Sequence, residues 1–400
     1  MMNTGNSNSS NHIGRDAALA HFSLMFGYKI FSLYYPLFLA AGGLSLAQIG
    51  KVYFLIYLPM ALGAPLAGFL TRLVHPALMA AAACLGYGAY ALAMAFDAQN
   101  AIAIYGWQIA LGLSAAFFFT SLRALMIRNS NGGAEQDFSW FYNASYWAAA
   151  AAPAAGAIIV WRCGFEAAFM VSAAICVYAG VLSAGMITHS WETNRRQAAL
   201  AGFAKSFAKT AKMSFSKKIS GYVALAFAVL LAESALHPFF PLFLKTGVGL
   251  EQTEAIWFVA LVSAAFSVFY FFVLRRGQTG NPGAAVCRGG LIAGVSTLMF
   301  GVFLPFLSAV VAFFLEFVRN AGGFLSNTGR SALLAEELKS RPSEAAALDT
   351  VFSPLAIALA AVFGGYVVES FGYQCLLLIT GTMIMVALAA PLIAKKREMR

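Results

Sequence analysis

The run Tyr34-Tyr35-Pro36-Leu37-Phe38-Leu39 returns 205 positions later as Phe239-Phe240-Pro241-Leu242-Phe243-Leu244. Gly156, Gly164, Phe165 and Glu166 return as Gly364, Gly372, Tyr373 and Gln374 at an offset of 208. Two matches at nearly one offset mean that one half was doubled, so the fold has to hold two similar half-chains. Composition says in what solvent. Of the 400 residues, 60% are hydrophobic and 10% are charged, whereas a soluble domain carries about a quarter charged residues. Most of this chain must therefore face lipid.

Crossing the hydrocarbon core takes roughly 20 residues of helix. Twelve such stretches are predicted, at 17–40, 46–70, 77–96, 101–127, 138–160, 165–188, 219–244, 252–274, 285–304, 306–335, 345–368 and 373–393. The tightest turn falls between the ninth and tenth, at Leu304-Pro305. The expected fold is an all-α membrane protein with twelve transmembrane helices in two pseudo-symmetric six-helix bundles, residues 17–188 and 219–394. A polar N-terminus, 1–16, is expected to be disordered, a basic linker, 189–218, to join the bundles, and 395–400 to form a tail. No cleavable signal pattern precedes the first span, which is expected to serve as its own insertion signal. Prolines and small residues recur inside spans, as at Ala148–Gly156 and Ala356–Gly365. Neighbouring helices in lipid satisfy backbone groups freed by such breaks, and small residues let helices approach closely.

The net charge of +10 would suggest nucleic acid in a soluble protein, but topology accounts for it better. Lys and Arg gather on one set of loops, including Arg72, Arg123, Arg128, Arg195, Lys217, Arg275, Arg330 and Lys395, against Lys51, Arg162 and Lys245 on the other. Basic loops stay in the cytoplasm. Both termini are therefore expected inside, in an inner membrane of bacterial type, with no nucleic-acid partner. Five cysteines without a Cys-x-x-Cys pair give no disulfide framework and no metal site. No phosphate-cradling glycine loop with lysine is readable, and no catalytic set, so the chain is expected to be no enzyme and to need no cofactor beyond a proton gradient.

Parallel repeats of this kind build secondary transporters, with the substrate at the interface between the halves. Ionisable residues deep in lipid are costly and persist where they face a cavity and a partner. Few occur here: His21 and Lys29 in span one, Glu233 and His237 in span seven, Glu316 and Arg319 in span ten, Asp349 in span eleven. At the 205 offset Lys29 maps to Ser234, beside Glu233, so a cation and an anion stand at nearly equivalent depths. Glu233 and His237 are four apart and Glu316 and Arg319 three apart, each pair on one helix face. One reading makes Lys29–Glu233 and Glu316–Arg319 neutralising pairs that only hold structure. The sharper reading lets partners exchange: departure of Lys29 would make Glu233 take a proton, coupling protonation to a change of access, with His237 as a relay.

Gly68-Phe69-Leu70-Thr71-Arg72 resembles the loop motif G-x-L-x-D-R-x-G-R of the major facilitator superfamily, with Thr71, Val74 and His75 where that motif has Asp, Gly and Arg. Pro153-x-x-Gly156 resembles the antiporter-type motif with its other glycines replaced, and Gly43–Gly50 resembles the entry to the second span in many members. The resemblance implies that spans one, four, seven and ten line a central cavity. Lys29, Arg319, Glu316, Tyr28, Gln108, Asn143, Tyr146, Phe240 and Asn320 are then the expected substrate-binding residues. Arg319 and Lys29 suit an anionic group, and the aromatic side chains supply apolar walls. Glu233, His237 and Lys29 are expected to couple protons, and Arg72, Arg123, Arg275 and Arg330 to close a cytoplasmic gate. Arg123 and Arg330 lie 207 apart and match across the repeat.

The expected function is proton-coupled uptake of a small organic solute by a monomer in the bilayer. A proton-driven exporter of drugs or metabolites is the first alternative, and a membrane sensor or scaffold without transport the second.

Overall fold

The computed structural model describes residues 10–71, 73–96, 101–129, 134–189, 191, 219–269, 281–337 and 342–391, with isolated positions between 202 and 212 and at 272. All regular structure among them is helical. We number the helices α1 (Ser10–Ser32), α2 (Tyr35–Ala41), α3 (Leu46–Leu70), α4 (Pro76–Phe96), α5 (Ala101–Asn129), α6 (Ala134–Gly185), α7 (Ser220–Leu236), α8 (Phe240–Thr246), α9 (Gln252–Phe269), α10 (Pro282–Phe303), α11 (Ala309–Glu337) and α12 (Pro342–Ala387). Ten stretches among the described residues are long and apolar enough to cross a bilayer. Two of them, 46 and 42 residues long, each take the place of two expected spans. The breaks are at Gly164 (φ 82°) in α6 and Gly372 (φ 79°) in α12, a backbone conformation that costs glycine nothing and other residues a clash. The repeat is thus a repeat of conformation as well as of letters.

The Tyr-Tyr-Pro and Phe-Phe-Pro runs behave alike. α1 ends at Ser32, and α2 restarts with Pro36 in its first turn, the Leu37 amide donating to the Tyr34 carbonyl at 3.0 Å. α7 ends at Leu236, a short 3₁₀ turn covers His237–Phe239, and α8 restarts with Pro241 in its first turn. Proline lacks a donor and so is accepted where helix N-termini have spare ones anyway. The turn expected at Leu304-Pro305 is a 3₁₀ turn, Leu304–Phe306, with α11 following from Ala309.

One correction concerns the start of the chain. α1 begins at Ser10, inside the segment expected to be disordered, because extending an existing helix into polar sequence costs far less than starting one. Residues 1–9, most of 189–218 and 395–400 lie outside the described residues.

The contacts divide the chain into two compact units. The first comprises the described residues of Met1–Ser32 and Pro59–Phe203, the second those of Leu33–Leu58 and Ala204–Arg400. The first half of α3 thus groups with the second unit, and the division falls at Pro59 within that helix. In the first unit α1 packs along α6, α6 against α4, and α4 against α5. In the second, α7 packs on α12, α10 and α11, and α10 on α11 and α12. Leu225, Val229, Val286, Ala293 and Ile384 form a buried core among α7, α10 and α12. Large apolar side chains such as Ile102 and Leu62 in the first unit and Phe306 and Val386 in the second stay exposed. So many exposed apolar side chains have lipid as their solvent.

Among the described residues the tightest approach of a glycine to another helix's backbone in each unit is repeated. A side chain at Gly156 would run into the Ile30 carbonyl, and one at Gly364 into the Ala235 carbonyl. Ile30 and Ala235 lie at the 205 offset and the glycines at 208. Each helix of the Pro-interrupted pair therefore lies directly on the helix that precedes the Gly164 or Gly372 break. Gly364→Ala and Gly156→Ala should each cost about 1–3 kcal/mol through overpacking, read as lower melting midpoints of the purified protein in detergent. Gly106→Ala, where a side chain meets nothing within 4 Å, should leave the midpoint unchanged.

Candidate functional site

A buried polar cluster of the second unit runs down one face of α11. Glu316, Arg319, Asn320 and Gly323 follow at the three- and four-residue spacing that puts residues on a single face. The guanidinium of Arg319 is 1% exposed and Glu316 3%. Arg319 Nε and Nη2 each donate to Glu316 at 2.9 Å, a two-pronged pair. Asn320 Nδ2 donates to the same carboxylate at 3.3 Å. The remaining prong, Nη1, reaches the Glu233 backbone carbonyl at 3.5 Å, not its side chain. The three-residue spacing of Glu316 and Arg319 thus does bring them together, but as a saturated pair: the guanidinium proposed to hold an anion already holds one.

Glu233 is different. It stands on α7, and its carboxyl lies against α11 at Gly323. Its Oε1 is buried and has no hydrogen-bond partner among the described residues. His237 follows one turn later, its backbone N–H donating to the Glu233 carbonyl, but α7 stops at Leu236 and the His237 residue is exposed. Phe240 is buried beyond it, its ring near Phe243 and Phe258.

In the first unit Lys29 lies half-buried on α1, next to Tyr28, whose ring meets Phe31 and Tyr87 edge-on. Gln108 is fully buried between α4 and α5, its Nε2 donating to Ile104 at 3.1 Å and lying 4.0 Å from the Met94 sulfur. The structure therefore places Gln108 in the packing of its own unit. Asn143 and Tyr146 are half-buried on α6. His21 is enclosed: its ring stacks on Phe141 at 4.1 Å, meets Phe119 edge-on, and its Nδ1 lies 2.9 Å from the Phe141 carbonyl.

Of the four arginines expected to gate, Arg72 and Arg275 lie outside the described residues. Arg330 is 3% exposed and stacks over Phe352 at 4.2 Å, a cation–π contact. Arg123 is half-buried. The positions where the loop motif departs from its pattern have other work. Thr71 Oγ1 donates to Gly68, and the Thr71 carbonyl accepts from the Trp191 indole at 2.9 Å. His75 Nδ1 accepts from the Ala77 amide, which leaves its Nε2 to donate to the His189 carbonyl at 3.2 Å. His189 in turn lies 3.5 Å from Asp16. Hydrogen bonds from the segment after α6 thus tie down the end of α3.

Two features were missed in the sequence. Gly323 is one, although its place four residues after Arg319 put it on the charged face. Glu369 is the other. Its carboxylate accepts from the Ala47 amide at 2.7 Å, at the first turn of α3, where Ser45 and Gln48 also cap each other. A helix N-terminus attracts such an anion, but nothing in the spacing joins residues 47 and 369.

A family model described as Major Facilitator Superfamily matches residues 17–348. No curated protein sequence matches the chain. Among solved structures, the nucleoside transporter NupG superposes with a TM-score of 0.74 at 14% identity, covering 96% of this chain and 99% of its own. A D-xylose–proton symporter superposes with a TM-score of 0.72 at 15% identity, covering 96% and 97%.

Glu316→Gln would leave the Arg319 charge buried without its partner, a change that costs about 3–5 kcal/mol. The variant should melt well below the wild type, and Glu316→Gln with Arg319→Gln should recover much of the loss. Equal melting of the single and double variants would contradict the pairing.

Proposed function

The chain belongs to the major facilitator superfamily, and on that premise we propose that it is a proton-coupled symporter that takes up a small organic solute by alternating access. One observation carries the reading: among the described residues Glu233 keeps a buried carboxyl oxygen without a hydrogen-bond partner, while the Arg319 guanidinium beside it is spent on Glu316. An ionised carboxylate so placed is expensive, since burying a charge is tolerated only with pairing and hydrogen bonds. Such a group changes protonation as its surroundings change. Lys29, the cation at the equivalent depth of the repeat, is proposed as its exchanging partner. A carboxyl in such a place is ionised when a cation neutralises it and takes a proton when that cation is withdrawn. His237, exposed one turn away, relays the proton.

Tyr28, Asn143 and Tyr146 of the first unit and Phe240 and Asn320 of the second are proposed to bind the solute, with Lys29 proposed to take an anionic group on it. Arg319 and Glu316 hold the carboxyl-bearing wall in place. The fold likeness to a D-xylose–proton symporter supports coupling as chemistry that this architecture accommodates. Basic loops favour both termini in the cytoplasm, in an inner membrane.

Glu233→Gln should abolish accumulation against a gradient yet spare exchange of solute across the membrane, measured as counterflow in proteoliposomes. Full concentrative uptake by that variant would remove Glu233 from coupling.

A further inference from the structure

We propose that Gly323 is the positioning residue of the proton site: the missing side chain there is the seat of the Glu233 carboxyl. The inference rests on the reading that Glu233 binds the coupled proton. A Cβ built at Gly323 would collide with both carboxyl oxygens and the carboxyl carbon of Glu233. The neighbouring glycines of α11 answer to a different need. Gly322 faces the backbone of Ala293 and Gly289, and Gly329 faces the Pro282 carbonyl, so they let α10 approach. Gly322 and Gly323 therefore divide the labour, the first serving a backbone and the second a carboxyl.

The repeat supports the same division. The offset of 207 that relates Arg123 to Arg330 sets Ala116 opposite Gly323, and the offset of 205 sets Tyr28 opposite Glu233. The half without the acid has a methyl group where the half with the acid has none. The seat also explains why Arg319 does not close on the carboxyl. Glu316 holds the guanidinium on α11, so the carboxyl meets α11 through the Gly323 backbone instead of through the cation. Among the described residues the charged groups acting on Glu233 are Arg319 and Glu316, both on α11, with none from α10 or α12. Gly323 thereby fixes the distance from which both charges act. A few tenths of an ångström matter for a carboxyl whose protonation is governed first by its burial and then by two opposed neighbours.

The test uses the full chain purified in detergent and an apolar carbodiimide, which reacts with protonated carboxyl groups. Labelling of Glu233 is followed by peptide mass spectrometry across a pH series, with melting midpoints taken in parallel. Gly323→Ala should move the labelling midpoint by about one pH unit or more or abolish labelling. Adding Glu233→Asp, which withdraws the carboxyl by one methylene, should return the profile towards the wild type. If the single variant does not fold, recovery of folding by Glu233→Asp is the same rescue. A wild-type profile in Gly323→Ala, even with a lowered melting midpoint, would reduce Gly323 to plain packing and overturn the proposal. So would failure of Glu233→Asp to rescue either the profile or the folding. Labelling needs no transport, so concentrative uptake by Glu233→Gln would remove the acid from coupling and leave the seat standing.

Discussion

Everything in this structure follows from the absence of water around the backbone. In hydrocarbon each unpaired N–H or C=O costs several kcal/mol, so a chain that crosses it must satisfy those groups from within. Helices do so, and among the described residues there is no other regular structure. The constraint also decides where helices break. Pro36 and Pro241 fall in first turns, where an amide donor is not needed, and Gly164 and Gly372 take the positive φ that lets a chain reverse. Close packing supplies what a hydrophobic effect cannot supply between helices in lipid. Gly156 on Ile30 and Gly364 on Ala235 are the two places where backbones come closest across the repeated contact.

The same dry surroundings set the terms for charge. A buried guanidinium survives here because Glu316 matches it with two bonds and Asn320 steadies the carboxylate. A pair so complete is mechanically useful and chemically quiet. Glu233, on the adjacent helix, is matched by no hydrogen bond at its buried Oε1 among the described residues, so the two acids contrast in how their charge is met. Doubling of one ancestral half gave both units the same scaffold. The acid, its glycine seat and the arginine pair belong to one copy only, and Lys29 to the other.

The sequence made plain whatever depends on neighbours along one helix or on the repeat. Glu316 and Arg319 met because three residues make nearly one turn, and the breaks at Gly164 and Gly372 fell where one match predicted the other. Contacts between helices were less legible, because spacing along a chain does not say how each helix is rotated. Gln108 was expected to line a cavity, and spacing could not show that its Nε2 bonds to Ile104 beside Met94. Gly323 passed as one more small residue, since its partner stands on a helix 90 positions away in the chain (233 to 323). His75 and Thr71 read as losses from a charged motif, yet both are held by backbone and indole hydrogen bonds from the segment after α6. The grouping of residues 33–58 with the second unit had no signal beyond Pro59.

The central claim is that a proton travels with the solute through a site built on Glu233. The most direct measurement is the pH of a weakly buffered suspension of proteoliposomes holding the purified chain, with no imposed gradient, as sugars, nucleosides, carboxylates and cationic dyes are added in turn. The account predicts that the solute that enters makes the medium alkaline, that the response needs Glu233, and that it vanishes with a protonophore. A solute that enters at the same rate with no proton following, or with protons moving the other way, would contradict it.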